Sequence, residues 1–267
     1  MLDEEVKTFL SRPIEGEHPY VWLDATFHKV RQDGRVTSVA TVVAIGVNDQ
    51  GQRTILGAAT GQSEDHQFWT SFLRTLVRRG LKGVHLVISD AHEGLRQAIA
   101  KILSGATWQR CRVHFMRNLL SRVPKGAQDT VAAVVRSVFS APDHATAMTQ
   151  LHDVARMLEP RYPQAAELLQ DAAEDVLAHM HFPREHRRRL HSTNPIERLH
   201  KEVKRRTRVV GIFPTLDSLM RMVGTLLAEQ DDEWQVADRR YFSIGSMAKV
   251  NELEGGEDPK ELLAAIA

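Results

Sequence analysis

The chain has a single cysteine, Cys111, among its 267 residues. An intramolecular disulfide is therefore impossible, and a reducing cytoplasm suits such a sequence. No apolar run approaches the roughly 18 residues of a membrane span, so no membrane association is expected. The N-terminus, MLDEEVKTFL, is too acidic for a secretory signal. Net charge is also scarce, at +1, so the overall balance points to no particular partner. What the chain does have is 42% hydrophobic residues and an even mixture of charges. These describe a soluble globular protein, long enough for one large domain or for a core domain carrying an insertion.

Charge is concentrated locally. From Arg184 to Arg208 there are ten Lys/Arg against Glu185, Glu197 and Glu202, a net of 10 − 3 = +7. Such a stripe is either a solvated helix face or an electrostatic footprint for phosphates.

Three strand-like runs open the fold, at 20–30, 35–47 and 53–60. QDGR (32–35) and NDQGQ (48–52) separate them, and links of this kind predict an antiparallel meander. A helix follows over SEDHQFWTSFLRTLVRRG, with Ser63 as its N-cap and Gly80 as its stop. VHLVIS (84–89) has the continuous apolar character of a strand buried on both faces. DAHEGLRQAIAKIL is helical, and TWQRCRVHF (107–115) reads as another short strand. Between about Met116 and Glu185, Ala-rich segments punctuated by Pro124, Pro142, Pro160, Pro163 and Pro183 predict an all-helical block. Further helices are expected at about 195–208 and 215–229. The expected class is α/β: a three-strand meander, then alternating α and β units in a mixed sheet, with an all-α insertion before the last functional helix. The divisions are 1–19 as a short N-terminal remnant, 20–115 and 186–243 as the two parts of the core, 116–185 as the insertion, and 244–267 as a flexible tail.

Three carboxylates stand out. Asp90 ends the buried strand, where ligand chemistry in open α/β sheets tends to sit, yet Asp90 and Glu93 also fit a helix capping box. Glu197 falls three residues after Asn194, a candidate N-cap, with Pro195 at the first helical position. On the helix wheel Ile196, Leu199 and Val203 share one face, and Glu197 lies with Lys201, Lys204 and Arg208 on another. Asp24 has no capping role, because it sits inside YVWLDATF, on the strand face of Trp22 and Thr26. It is either an edge or solvent-facing aspartate, or a carboxylate held by a cation. Acids brought together stay ionised only beside a compensating charge such as Mg²⁺ or Mn²⁺. Two such ions could activate a nucleophile and stabilise a leaving oxygen in phosphoryl transfer. An Asp on the first strand of a meander, an Asp after the fourth strand and an acid on a later helix form a ribonuclease H-like arrangement.

YVWLDATF, LVISDAHEGL, WQRCRVHFMRNLL, STNPIERLHKEVKRRTRVVGIFP and DEWQVADRRYFS together closely resemble the Mutator-type transposases of bacterial insertion sequences. The likeness runs almost continuously from Tyr20 to Ser243. It implies a DDE triad of Asp24, Asp90 and Glu197 on a ribonuclease H-like core, holding two Mg²⁺ (or Mn²⁺) ions. It further implies cutting of transposon ends and joining of the 3′-hydroxyl to target DNA, by a homo-oligomer in the bacterial cytoplasm, at the nucleoid when on DNA. Lys201, Lys204, Arg205 and Arg208 would contact phosphates. The family's Cys-x-x-His element is Cys111 and His114, either core-packed and supporting the site or contacting DNA, and too small a set for zinc. At His200 the family more often has Asn. Family members also carry a substantial N-terminal DNA-reading region, whereas nineteen residues precede Tyr20 here, so the chain looks like the catalytic portion. The rival expectations are a ribonuclease H-like nuclease without strand transfer and a truncated remnant that only binds DNA or dimerises.

Overall fold

The computed structural model describes residues 2–252. Helix α1 (Leu2–Ser11) precedes three strands, β1 (Tyr20–Gln32), β2 (Arg35–Val47) and β3 (Arg53–Gly61). Asp33 and Gly34 both adopt positive φ, 49° and 77°. This is the conformation a two-residue hairpin turn requires, and it sets the register through the Gln32–Arg35 pair. At the second link, Asn48 Oδ1 accepts from the Gln50 and Gln52 amides. The meander is thus formed as expected, with β1 and β3 each running one or two residues further.

Helix α2 (His66–Arg78), β4 (Leu86–Ser89), α3 (Glu93–Ile102), β5 (Thr107–Arg110) and α4 (Arg112–Leu120) follow. Here the expected strand 107–115 is corrected. β5 pairs only with the four residues of β4, from Leu86↔Thr107 to Ser89↔Arg110. Its ladder runs out of partner at Arg110, and the chain turns into a helix directly after Cys111. The helix-start expectations are also revised. Asp65, not Ser63, caps α2 by accepting from the Phe68 amide at 2.8 Å. His92, not Asp90, caps α3 by accepting from the Leu95 amide.

The helical block comprises α5 (Gln128–Val138), α6 (His144–Leu158), α7 (Pro163–Asp171) and α8 (Ala173–Leu177), with 3₁₀ turns at Lys125–Ala127 and Ala178–His181. Then come α9 (Arg184–Leu190), α10 (Asn194–Val210), β6 (Ile212–Phe213), α11 (Leu216–Val236) and α12 (Ile244–Glu252). The tail expected over 244–267 thus begins as a helix, and its remainder lies outside the described residues.

The strand order is β3-β2-β1-β4-β5, with β6 beside the far end of β1. β2 is antiparallel to β1 and β3, while β4 and β6 run parallel to β1 and β5 parallel to β4. Alternation along β1 divides the core. Tyr20 and Trp22 pack with Ile196, Leu199 and Val203 of α10 and Leu219, Val223 and Leu227 of α11. Val21 and Leu23 pack on the opposite face with Trp69, Phe72, Leu95 and Ile99 from α2 and α3. The helical block has an apolar cluster of its own, drawn from residues between Phe115 and Met180. Its neck is closed where the chain leaves and returns, by the Arg112 amide donating to the His191 carbonyl at 2.9 Å. A second tie is Gln109, whose Oε1 accepts from the His179 amide at 2.7 Å.

The first residues are built into the fold. Val6 packs against Gly224, where a Cβ would come within 2.3 Å of its Cγ1, so only glycine lets α1 approach α11 this closely. Arg12 donates to Asp231 at 2.7 Å, and this buried carboxylate also accepts from Thr54 Oγ1 and the Ile55 amide. No helix of the described residues is long and apolar enough to cross a membrane.

Candidate active site

The strand register brings two of the three acids to one level. β1 and β4 are parallel, and their last pair is Trp22↔Ile88. Asp24 and Asp90 each lie two residues beyond that pair, on strands whose neighbours are about 4.8 Å apart. On that side β4 has ended at Ser89, and β6 joins only at Lys29. Asp24 is paired with Val43 on its other side, so it stands at a gap in an otherwise interior strand. The position is a local edge of the strand, yet the Asp24 side chain is only 16% exposed.

Asp24 Oδ2 lies 3.3 Å from His200 Nδ1 on α10. Around it Thr26 Oγ1, His28 Nε2, Thr41 Oγ1 and His200 Nε2 are buried without hydrogen-bond partners. Buried polar atoms are normally paired, so this unpaired strip on the strand face of Asp24 is unusual. Burial, with the nearby Lys204 and His200, holds His28 down to a pKa of about 4.

Asp90 forms an ion pair with His114 Nδ1. The other ring nitrogen of His114 lies 3.5 Å from Glu197 Oε1, so one imidazole links the acid after β4 to the acid on α10. The Asp90 carboxylate, and then Cys111, raise the His114 pKa to about 10 against the effect of burial. The turn into α4 places Cys111 and His114 three residues apart on one helical face. Burial would raise the Cys111 thiol, but hydrogen bonds from His114 and Thr193 outweigh it and lower its pKa. Thr193, buried at the start of α10, donates its amide to Cys111 Sγ at 3.4 Å. Its hydroxyl lies 3.2 Å from Cys111 Sγ and 3.1 Å from Glu197 Oε1 and has one proton to share between them.

Neither capping alternative for the acids is realised. Thr193, not Asn194, precedes α10, and Glu197 falls at its fourth position, turned to Thr193 and His114.

A further carboxylate feels the charge of these acids. Glu64, in the loop before α2, has its pKa raised by burial first and then by the charges of Asp24 and Asp90. Its sequence context, SEDH, is indistinguishable from a helix start, so no local signal marks it. His200 was visible only as a departure from the family pattern, and Thr193 not at all.

Among the described residues, Asp90, Cys111 and His114 have ligand atoms within 4.8 Å of one another, whereas Asp24, Asp90 and Glu197 do not form so tight a group. The donor set nevertheless fits a hard divalent cation. Its oxygen donors are the carboxylates of Asp24, Asp90 and Glu197, and burial first, then the charges of Asp24 and Asp90, disfavour ionisation of the nearby Glu64.

Of the cations expected to meet phosphates, Lys201, Arg205 and Arg208 are exposed and Lys204 half-buried. Arg205 donates twice to Glu202, at 2.9 and 2.6 Å, so part of its charge is already matched.

Fold and site together define a mixed α/β protein with a carboxylate–histidine centre beside a basic helix. The family model described as transposase, Mutator family, matches residues 1–237, and the chain belongs to that family. It is 44% identical over 260 residues to the transposase for insertion sequence element IS1081 of Mycobacterium tuberculosis, covering 97% of this chain and 62% of that protein. The transposase for IS406 of Burkholderia multivorans is 42% identical over 234 residues, 87% of this chain and 60% of its own length. The transposase for IS256 in transposon Tn4001 of Staphylococcus aureus is 38% identical over 234 residues, 86% and 59%. The chain therefore spans about three-fifths of the length of these relatives.

Proposed function

We propose that this chain carries the catalytic centre of a DDE-type DNA transposase on a ribonuclease H-like core, with Asp24, Asp90 and Glu197 as the triad. The observation that carries the reading is the matched level of Asp24 and Asp90 on parallel neighbours, with Glu197 of α10 joined to Asp90 through His114. The three acids would hold two Mg²⁺ or Mn²⁺ ions. When bound, such ions supply a hydroxide-like nucleophile and stabilise charge on the attacking and leaving oxygens.

The chain's own groups do the positioning. His200 orients the Asp24 carboxylate, and Thr193 fixes Glu197 by its hydroxyl. His114 carries positive charge between Asp90 and Glu197, which limits their repulsion while the centre is assembled. Lys201, Lys204, Arg205 and Arg208 neutralise backbone phosphates of transposon ends and target, giving affinity that falls with salt and carries little sequence information. The active complex is a homo-oligomer, in the cytoplasm and at the nucleoid.

The test is Mg²⁺-dependent strand transfer on duplexes bearing the element's ends. Asp24→Asn should abolish joined product, and undiminished activity refutes the triad. Cleaved ends with no joined product would instead mark a nuclease.

A further inference from the structure

The first turn of α10 also walls a concavity that none of Asp24, Asp90 and Glu197 lines. A pocket of about 700 Å³ opens between the start of β3, α9, the start of α10 and the end of α11. Arg53, Arg188, Arg189, Arg198, Arg239 and Arg240 line it, and among the described residues no carboxylate does. Asp238 borders only the adjoining depression.

Arg53 is the deepest of these cations. Its guanidinium lies 3.7 Å from the Trp234 ring centroid and 5.0 Å from that of Tyr241, and its Nε is buried without a hydrogen-bond partner. Arg189 stands 4.8 Å from the same Tyr241 ring. Burial lowers the Arg53 pKa, and Arg189 and Arg198 lower it further, against a contribution from Tyr241. Arg53 and Arg189 are thus held over one tyrosine ring, close enough to repel, by aromatic packing rather than by counter-ions. Such an arrangement is offset by a polyanion, and the guanidinium fork matches phosphate in shape and charge.

The remaining wall is Trp234, Tyr241, Pro195 and Ala237. An apolar plane beside a cationic one suits the two halves of a nucleotide, base and phosphate. The volume falls in the range of small-molecule sites and takes one such unit, whereas a duplex would only cover the mouth.

We propose that this pocket holds a phosphate-bearing nucleotide of a single DNA strand, a contact that engages Arg198 at the start of α10 and does not use Lys201, Lys204, Arg205 or Arg208 further along it. The choice of DNA among polyanions rests on the transposase reading above. The pocket would take a strand end where it departs from the duplex.

The experiment measures anisotropy of a labelled single strand of about 20 nucleotides, and of the blunt duplex of the same sequence, over a salt series in EDTA. Arg188 and Arg198 are exposed, so the R188Q/R198Q protein should fold normally. It is expected to bind the single strand at least ~10-fold more weakly, with the salt slope reduced by about 1.4 for two lost phosphate contacts. A control with the same charge change on distant exposed positions, R78Q/R136Q, should stay within about twofold of the unmodified chain, since it removes no local contact. The proposal is overturned if R188Q/R198Q loses no more than the control, or if the blunt duplex loses as much as the single strand. Because no metal or strand transfer is involved, a failed triad leaves this result standing. If the unmodified chain binds neither DNA, both the DNA reading and the pocket fall.

Discussion

Acid should unfold this protein well above the range in which carboxylates titrate. Burial holds His18, His28, His186 and His191 at pKa values of about 4 and His179 at about 3, against 6.5 when unfolded. Each is neutral in the fold and takes up a proton more readily when unfolded. A depressed folded pKa means stability that is present above pH 6.5 and lost as pH falls towards about 4. At pH 5, 1.5 units below the unfolded value, each such group removes about 2 kcal/mol, and the five together on the order of 5–10 kcal/mol once local relaxation is allowed. That rivals the whole stability of a typical domain, about 5–15 kcal/mol. Urea unfolding followed by circular dichroism at pH 8, 7, 6 and 5 should show stability nearly flat from 8 to 7 and falling steeply below 6. His186 is the best single probe, because it is fully buried with Nδ1 2.8 Å from the Tyr20 hydroxyl. His186→Gln keeps a polar partner for Tyr20 without the titration, so it should flatten the slope by about one proton. A stability profile level from pH 8 to 5 refutes the reasoning.

Two further outcomes follow from the fold and the centre. Asp231→Ala leaves the Ile55 amide without its acceptor and Arg12 without its carboxylate partner, and should cost about 2–4 kcal/mol, read as a lower urea midpoint and earlier proteolysis near Arg12. If His200 orients Asp24, His200→Leu should lower strand transfer about 10–100-fold, while His200→Asn, able to donate a hydrogen bond, should stay within about tenfold. Equal losses for both would remove the orienting role.

Much of the scaffold was legible in the sequence because local rules and tertiary structure agree. The Asp33–Gly34 turn and the alternation along β1 fix which side chains meet α10. The expectation over 107–115 failed because strand propensity cannot extend a ladder past its neighbour, and β4 ends at Ser89. Asp90 and Glu197 looked like caps until His92 and Thr193 took the positions before α3 and α10, releasing both carboxylates for other contacts. For a different reason Glu64 gave no signal, and of the arginine pocket only Arg188, Arg189 and Arg198 showed, within the basic stripe. Each is an electrostatic meeting of segments distant in sequence, as with Arg53 against Arg189 and Trp234. Composition averages such meetings away.

The closed neck of the helical block has a kinetic meaning. Pinning Arg112 to His191 closes a loop of roughly 80 residues, at an entropic cost of about 4 kcal/mol beyond a constant. A block that has already condensed on its own apolar cluster brings its two ends together, and most of that cost is met before the neck forms. Folding the block first therefore favours late docking of His114 with Glu197. Chains arrested on the ribosome or nicked within the block should then hold a formed β1–β2 hairpin without an assembled carboxylate centre.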